Sequence, residues 1–378
     1  MNASARHFHR LAWIATLLAF ALIVFGAFVR LSNAGLSCPD WPTCYGRAAW
    51  PVHEHEIAQA NAKFERAVEP TKAWREQGHR HLAAGLGILI LVLALVASRK
   101  RPHGPASIAA AAVLVAISIP LYMRGFYVMA AAMALGSEAL LLACALRWRD
   151  GGDQARPAVA ALMLVVFQAV LGMWTVTWLL KPIVVMGHLL GGMALFALLG
   201  WLAWRATPDT ALVQGVAPKL RRQLWIALAL LALQIALGGW TSANYAAMAC
   251  GMEFPKCVGQ WWPTADFREG FVLWRGIGVD YEGGVLDANA RVAIQMAHRV
   301  VAVLVFLHLL AVAARMLRTP GLRYWGALLL VLTVAQVGLG IANVLAGLPL
   351  AIAVAHTAGA AALLFVVVGL LARLRAPE

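Results

Sequence analysis

The chain has 378 residues, 62% hydrophobic and 13% charged, with a mean hydropathy of +0.75, where a soluble domain is roughly 45–50% apolar and about 25% charged. This excludes a water-soluble globular enzyme, and apolar runs of 17 to 25 residues, near the ~20 needed to cross a bilayer, define a polytopic α-helical membrane protein. The net charge of +14 does not point to nucleic acid, because the charges sort by side of the membrane.

In chain order the predicted spans are 11–29, 79–98, 105–122, 125–146, 158–178, 182–203, 223–243, 291–314, 324–345 and 350–372. An even count of ten puts both termini on one side. That side holds seventeen of the 31 Lys and Arg, from Arg6 and Arg10 through Arg99, Lys100 and Arg101 to Arg149 and Arg375, with only four acids. The opposite loops balance the other fourteen against twelve acids. The positive-inside rule therefore places the termini in the cytoplasm, with a bacterial inner membrane as the simplest home. Arg6 and Arg10 precede an apolar run with no small-residue cleavage site, which predicts a first span rather than a removed signal.

The chain repeats itself. Two long outer loops, 30–78 and 244–290, carry Cys38 and Cys44 and then Cys250 and Cys257, and each leads into a span with a His-Arg pair, Glu76-Gln-Gly-His79-Arg80 and Gln295-Met-Ala-His298-Arg299. Further on, Gln168-Ala-Val-Leu-Gly172 precedes His188 by twenty residues, and Gln336-Val-Gly-Leu-Gly340 precedes His356 by the same twenty. The step from His79 to His188 is 109 residues and from His298 to His356 only 58, and the excess of 51 marks residues 102–152 as an inserted hairpin. The expected fold is all-α, with two pseudo-symmetric four-helix bundles in the same orientation plus that hairpin. The expected division is 1–204, including the insertion, and 205–378.

His79, His188, His298 and His356 fall at one depth, two per half. A neutral imidazole inside a bundle can ligate haem iron, and two on facing helices give a six-coordinate iron between apolar walls. The competing reading for any one of them is an interhelical hydrogen bond. His308, ten residues after His298, has no counterpart and reads as structural or interfacial. Arg80 and Arg299 suit ionised haem propionates or snorkelling to lipid headgroups. Cys38 with Cys44, and Cys250 with Cys257, read as loop disulfides in an oxidising compartment. A zinc site would instead need four converging ligands and persistent thiolates. Lone Cys144 reads as packing, and Glu138, inside an apolar run, as a local hydrogen-bonded or helix-helix contact.

The halves differ beside the first histidine of each. Glu76 stands three residues before His79, where Gln295 precedes His298. A carboxylate there can exchange protons or stabilise cationic charge at a macrocycle edge, which an amide cannot. The plainer reading is a boundary glutamate.

These residues resemble the heme A synthases, in the form with a cysteine pair in each of two outer loops. The resemblance covers most of the chain and is carried by Leu31-Ser-Asn-Ala-Gly-Leu-Ser-Cys-Pro-Asp-Trp-Pro-Thr-Cys-Tyr-Gly46, Glu76 with His79-Arg80, Phe167-Gln-Ala-Val-Leu-Gly-Met-Trp-Thr-Val176, His188-Leu-Leu-Gly-Gly192, His298-Arg299 and His356. It implies oxidation of the pyrrole ring D methyl of heme O to a formyl group by successive hydroxylation, for cytochrome c oxidase assembly. By similarity, His79 and His188 hold the substrate haem, Glu76 is catalytic, and His298 and His356 hold a heme b that passes electrons. Heme O synthase and an electron donor that the sequence does not name are the implied partners. The family pattern has eight spans, so the hairpin is a departure. A diheme cytochrome b-type electron carrier acting on quinol is the main alternative and a transporter the third. The electron carrier predicts similar halves and no chemical change to either haem, against which stand the unequal Glu76 and Gln295 and the paired-cysteine loops. The transporter does not explain four histidines at one depth without nearby intramembrane acids.

Overall fold

A computed structural model describes residues 3–148, 153–207 and 218–374. Residues 149–152 at the end of the predicted hairpin, with Arg149 and Arg375 of the basic side, lie outside the described residues. The helices are α1 (Ala3–Leu31), α2 (Glu54–Lys63), α3 (Pro70–Ser98), α4 (Gly104–Met123), α5 (Tyr127–Arg147), α6 (Ala155–Thr177), α7 (Pro182–Ala206), α8 (Pro218–Ala243), α9 (Phe267–Gly270), α10 (Ala288–Leu317), α11 (Arg323–Leu345) and α12 (Leu350–Arg373). Among the described residues there is no strand, only two isolated bridges, Cys44 with Arg47 and Cys257 with Gln260. Ten helices are long and apolar enough to span a membrane, and each predicted span falls on one of them. The protein is a multi-pass, all-α membrane protein.

The largest departure from the hydropathy reading is at the entry to the second span. The helix begins at Pro70 rather than His79, with Glu69 as N-cap and Pro70 in the first turn, where a missing N–H costs nothing. Hydropathy is blind to this extension because residues 70–78 are mostly polar. Similarly, α10 starts at Ala288, where the Asp287 side chain accepts from the Ala290 amide at 2.8 Å. Both early starts put the residue three before the histidine, and the arginine after it, on continuous helix.

The chain divides into two compact units. The first comprises Met1–Leu22, Ala34–Thr177 and Ala194–Pro208. Within it, α3, α4, α5 and α6 pack as a closed ring, each against the next and α6 back on α3. The contact between α4 and α5 includes small buried residues: the Ser137 hydroxyl donates to the Ala111 carbonyl at 3.0 Å, and Ala111 and Ala130 are buried. Small side chains let helix backbones approach closely where lipid offers no hydrophobic drive. At the base of the hairpin, Arg101 and Asp153 border the predicted insertion and are joined by two hydrogen bonds of 2.9 and 2.8 Å, which hold the Asp153 carboxyl below its usual range. At the other end, Tyr122 of α4 meets Trp41 of the first cysteine loop edge-on at 5.8 Å. The Glu138 Oε1 atom is buried without a hydrogen-bond partner among the described residues.

The second unit comprises Ile23–Asn33, Trp178–Met193 and Asp209–Glu378. Here α8, α10, α11 and α12 form another closed ring: α10 packs on α8 and α11, and α12 on α8 and α11. That order sets α10 opposite α12 and α8 opposite α11. His308 on α10 lies 3.0 Å from the Gln223 carbonyl, the structural role expected of it. Cys144, in the first unit, is free and buried.

Candidate functional site

The two cysteine loops fold to one design. In the first, Cys38 is bonded to Cys44, and the Cys44 amide donates to the Arg47 carbonyl at 2.8 Å. Asp40 caps the turn from within, accepting from the Tyr45 amide at 2.6 Å, the Gly46 amide at 2.8 Å and the Thr43 hydroxyl. In the second, Cys250 is bonded to Cys257, the Cys257 amide donates to the Gln260 carbonyl at 2.8 Å, and Glu253 accepts from the Gly259 amide at 2.7 Å. Both turns carry a glycine with positive φ at the matching place, Gly46 at 74° and Gly259 at 75°, a conformation that costs a residue with a Cβ.

Each loop is fastened to its helix by the arginine after the histidine. Arg80 donates to the carbonyls of Asp40 at 2.8 Å, Thr43 at 2.7 Å and Cys38 at 3.3 Å. Arg299 donates to the carbonyls of Glu253 and Lys256, each at 3.0 Å, and of Pro255 at 3.5 Å. The sequence left these side chains between propionates and headgroups, and the structure gives them to loop carbonyls that no sequence pattern reveals.

Here the modules part. Glu76, 5% exposed, accepts from the Cys38 amide at 2.8 Å and pairs with Arg80 at 2.6 Å. Gln295, 4% exposed, has an Oε1 atom with no hydrogen-bond partner among the described residues, and no carboxylate pairs with Arg299 there. One module thus carries a buried ion pair within one turn of its histidine, and the other an arginine with no ion pair among the described residues.

His79 is half-buried on α3 and His188 half-buried on α7. The second pair lies within one ring: His298 on α10 and His356 on α12 come from opposite helices, and each ring rests on a glycine of a neighbouring helix. A Cβ at Gly238 of α8 would stand 3.3 Å from the His298 Cε1, and one at Gly340 of α11 3.1 Å from that of His356. One turn before each glycine a glutamine holds the histidine's backbone: Gln234 donates to the His298 carbonyl at 3.1 Å and Gln336 to the His356 carbonyl at 2.9 Å. One ring nitrogen of His356 has no hydrogen-bond partner among the described residues.

The sequence reading missed Gln234. It recognised Gln168-Ala-Val-Leu-Gly172 and Gln336-Val-Gly-Leu-Gly340, yet Gln234-Ile-Ala-Leu-Gly238 is a third copy of the same Gln-x-x-Leu-Gly pattern. The signal was present, but its histidine is 64 residues on rather than twenty.

Two histidines from opposite helices of one four-helix ring, with glycines clearing space beside them, are an arrangement that could hold a haem. The donor set, the orphaned ring nitrogen and the glycine cradles all fit that group. The chain belongs to the cytochrome oxidase assembly protein family COX15-CtaA, whose sequence profile matches residues 9–120 and 126–368. It is 38% identical to the heme A synthase of Shewanella oneidensis over 369 residues, 95% of each chain. It is 26% identical to that of Caulobacter sp. (strain K31) over 97% of this chain and 95% of that one. To that of Rhodospirillum centenum it is 34% identical over 44% of this chain and 42% of that one.

Proposed function

We propose that this chain is a heme A synthase, an oxidoreductase that converts the ring D methyl of heme O into a formyl group in the membrane. The observation that carries this reading is the nearly end-to-end similarity to a relative of that name. The finer assignments follow from the residues. His298 and His356 hold a heme b, with Gln234 and Gln336 fixing the backbone at each ligand and Gly238 and Gly340 keeping the imidazoles clear. A haem bound there supplies one-electron transfer. His79 and His188, by sequence, take the substrate haem, and the oxidation proceeds by successive hydroxylation.

Glu76 is the group that moves protons beside that substrate. Its carboxylate is fixed by Arg80 and the Cys38 amide, so the disulfide loop acts as its mount, and a fixed base one turn from the ligand histidine meets the positional demand of proton transfer. Arg80 and Arg299 place positive charge at the haem edges while holding the loops. The termini lie in the cytoplasm of a bacterial inner membrane and the haem sites toward its outer face, as the charge distribution supports. Heme O synthase and an electron donor are the partners.

The test is conversion of added heme O by membranes containing the purified chain, followed by mass spectrometry of extracted haems. Appearance of the hydroxylated and formyl products supports the reading. Unchanged heme O, with haem-loaded protein and reductant present, overturns it.

A further inference from the structure

Lys181 stands at the entrance to α7, immediately before Pro182, and its side chain is fully buried at 0% exposure. Its Nζ has no hydrogen-bond partner among the described residues, and no carboxylate pairs with it there. What surrounds it is aromatic: the ammonium is 3.4 Å from the centre of the Trp274 ring and 5.2 Å from that of Trp178, and those rings meet edge-on at 6.1 Å. An aromatic face offsets only part of the cost of taking an ammonium out of water. The cover is thin, because Trp274 is itself 64% exposed.

The backbone holds the lysine in place. Leu179 and Leu180 adopt positive φ values of 50° and 59°, and the Leu179 carbonyl accepts from the Tyr281 amide at 3.0 Å. The same turn recurs 168 positions on, with Gly347 at 72° and Leu348 at 62° before α12, but Pro349 stands where Lys181 does. The cation therefore belongs to one half only. It also sits at the N-terminus of a 25-residue helix, whose dipole and free amides favour an anion.

Lys181 precedes His188 by seven residues, two helical turns or about 10 Å along the axis, the scale of the separation between a haem's centre and its propionates. Arg80 is already paired with Glu76, whereas the Lys181 Nζ has neither a hydrogen bond nor an ion pair among the described residues, which leaves it open to a carboxylate near His188.

We propose that Lys181 binds a propionate carboxylate of the haem held by His188. This rests on the reading above that His188 is a ligand of the substrate haem. Trp274 shields the ammonium until the carboxylate arrives.

The test titrates full-length protein, loaded with heme b in phosphatidylcholine nanodiscs, with heme O and with its dimethyl ester, using wild type, Lys181→Met and Lys181→Arg. Lys181→Met should weaken free-acid binding about tenfold, the worth of one charge-assisted hydrogen bond. It should leave the ester unchanged, and Lys181→Arg should restore most of the loss. Equal weakening of both haems would make Lys181 a packing residue and overturn the proposal, as would no weakening of either. An effect that appears only in phosphatidylglycerol discs, with both haems alike, would assign the ammonium to a lipid phosphate and also overturn it. If wild type takes up no second haem at all, the substrate-haem reading itself fails and this proposal with it.

Discussion

The two cysteine-loop modules share a disulfide turn, an acidic cap, a positive-φ glycine and an arginine reaching back to loop carbonyls, two of them at matching positions, Asp40 with Glu253 and Thr43 with Lys256, yet they differ in the buried side chain beside that arginine. Glu76 joins Arg80 and the Cys38 amide, whereas the Gln295 oxygen has no hydrogen-bond partner among the described residues. The shared parts are what it takes to hold a loop over a histidine, since both modules have them. The part that differs is the one that can carry a proton. Gln295 also shows that an amide is tolerated beside such an arginine, so the contrast is one of chemistry rather than of folding.

The sharpest way to break the comparison is Glu76→Gln, which gives the first module the second's side chain. Conversion of heme O should fall by about a hundredfold or more, the range of general acid-base catalysis, while haem content and both disulfides persist. Normal heme A production by that variant would remove Glu76 from the chemistry. Next is the unequal weight of the two arginines. Arg80→Met strands a buried carboxylate and should cost about 3–5 kcal/mol. Arg299→Met strips only carbonyl partners and should cost about 1–3 kcal/mol. Thermal unfolding in detergent measures both, and equal losses would mean that the ion pair does not set the modules apart.

Smaller effects sharpen the account of the second unit. Gly340→Val places bulk against His356 and should lower heme b occupancy, for an overpacking cost of about 1–3 kcal/mol. Gly238→Ala, with slightly more room at 3.3 Å, should be milder. Full occupancy in the Gly340 variant would show that these glycines form no cradle. Gln234→Leu removes a hydrogen bond to the His298 carbonyl, worth about 1 kcal/mol, together with a 3.1 Å contact to its ring Nδ1, and should shift the heme b midpoint potential, which Gln223→Leu, at the far end of α8, should not. The smallest effect is on α2. Its Glu56 accepts from the amides of Val52 and His53, and these bonds hold its carboxyl below the usual range. Since the folded pKa is the depressed one, the support that Glu56 gives α2 is present above the ordinary carboxylate pKa and lost as pH falls through the folded value. Hydrogen exchange of residues 52–57 across that window should show the loss, and Glu56→Gln should abolish its pH dependence.

The spans and the repeat were legible because membrane burial imposes long apolar runs, and because His79, His188, His298 and His356 stand out as polar residues within them. The early start of α3 was not, since Pro70 to Gly78 offers hydropathy nothing to read. Nor was the destination of Arg80 and Arg299: a sequence displays a charge but not which way loop carbonyls point, and here they point at the guanidinium from within the disulfide turn. Lys181 was overlooked for a similar reason. In sequence it is one more cation near a span end, and only the folded chain buries it beneath Trp274.

The central claim is that one pair of histidines carries a substrate and the other a resident haem. Acid-acetone extraction of the purified protein, produced together with heme O and analysed by chromatography and mass spectrometry, tests it most directly. Heme b accompanied by heme O, its hydroxylated form or heme A is the predicted result. Heme b alone, with heme O abundant in the same membranes, would contradict it.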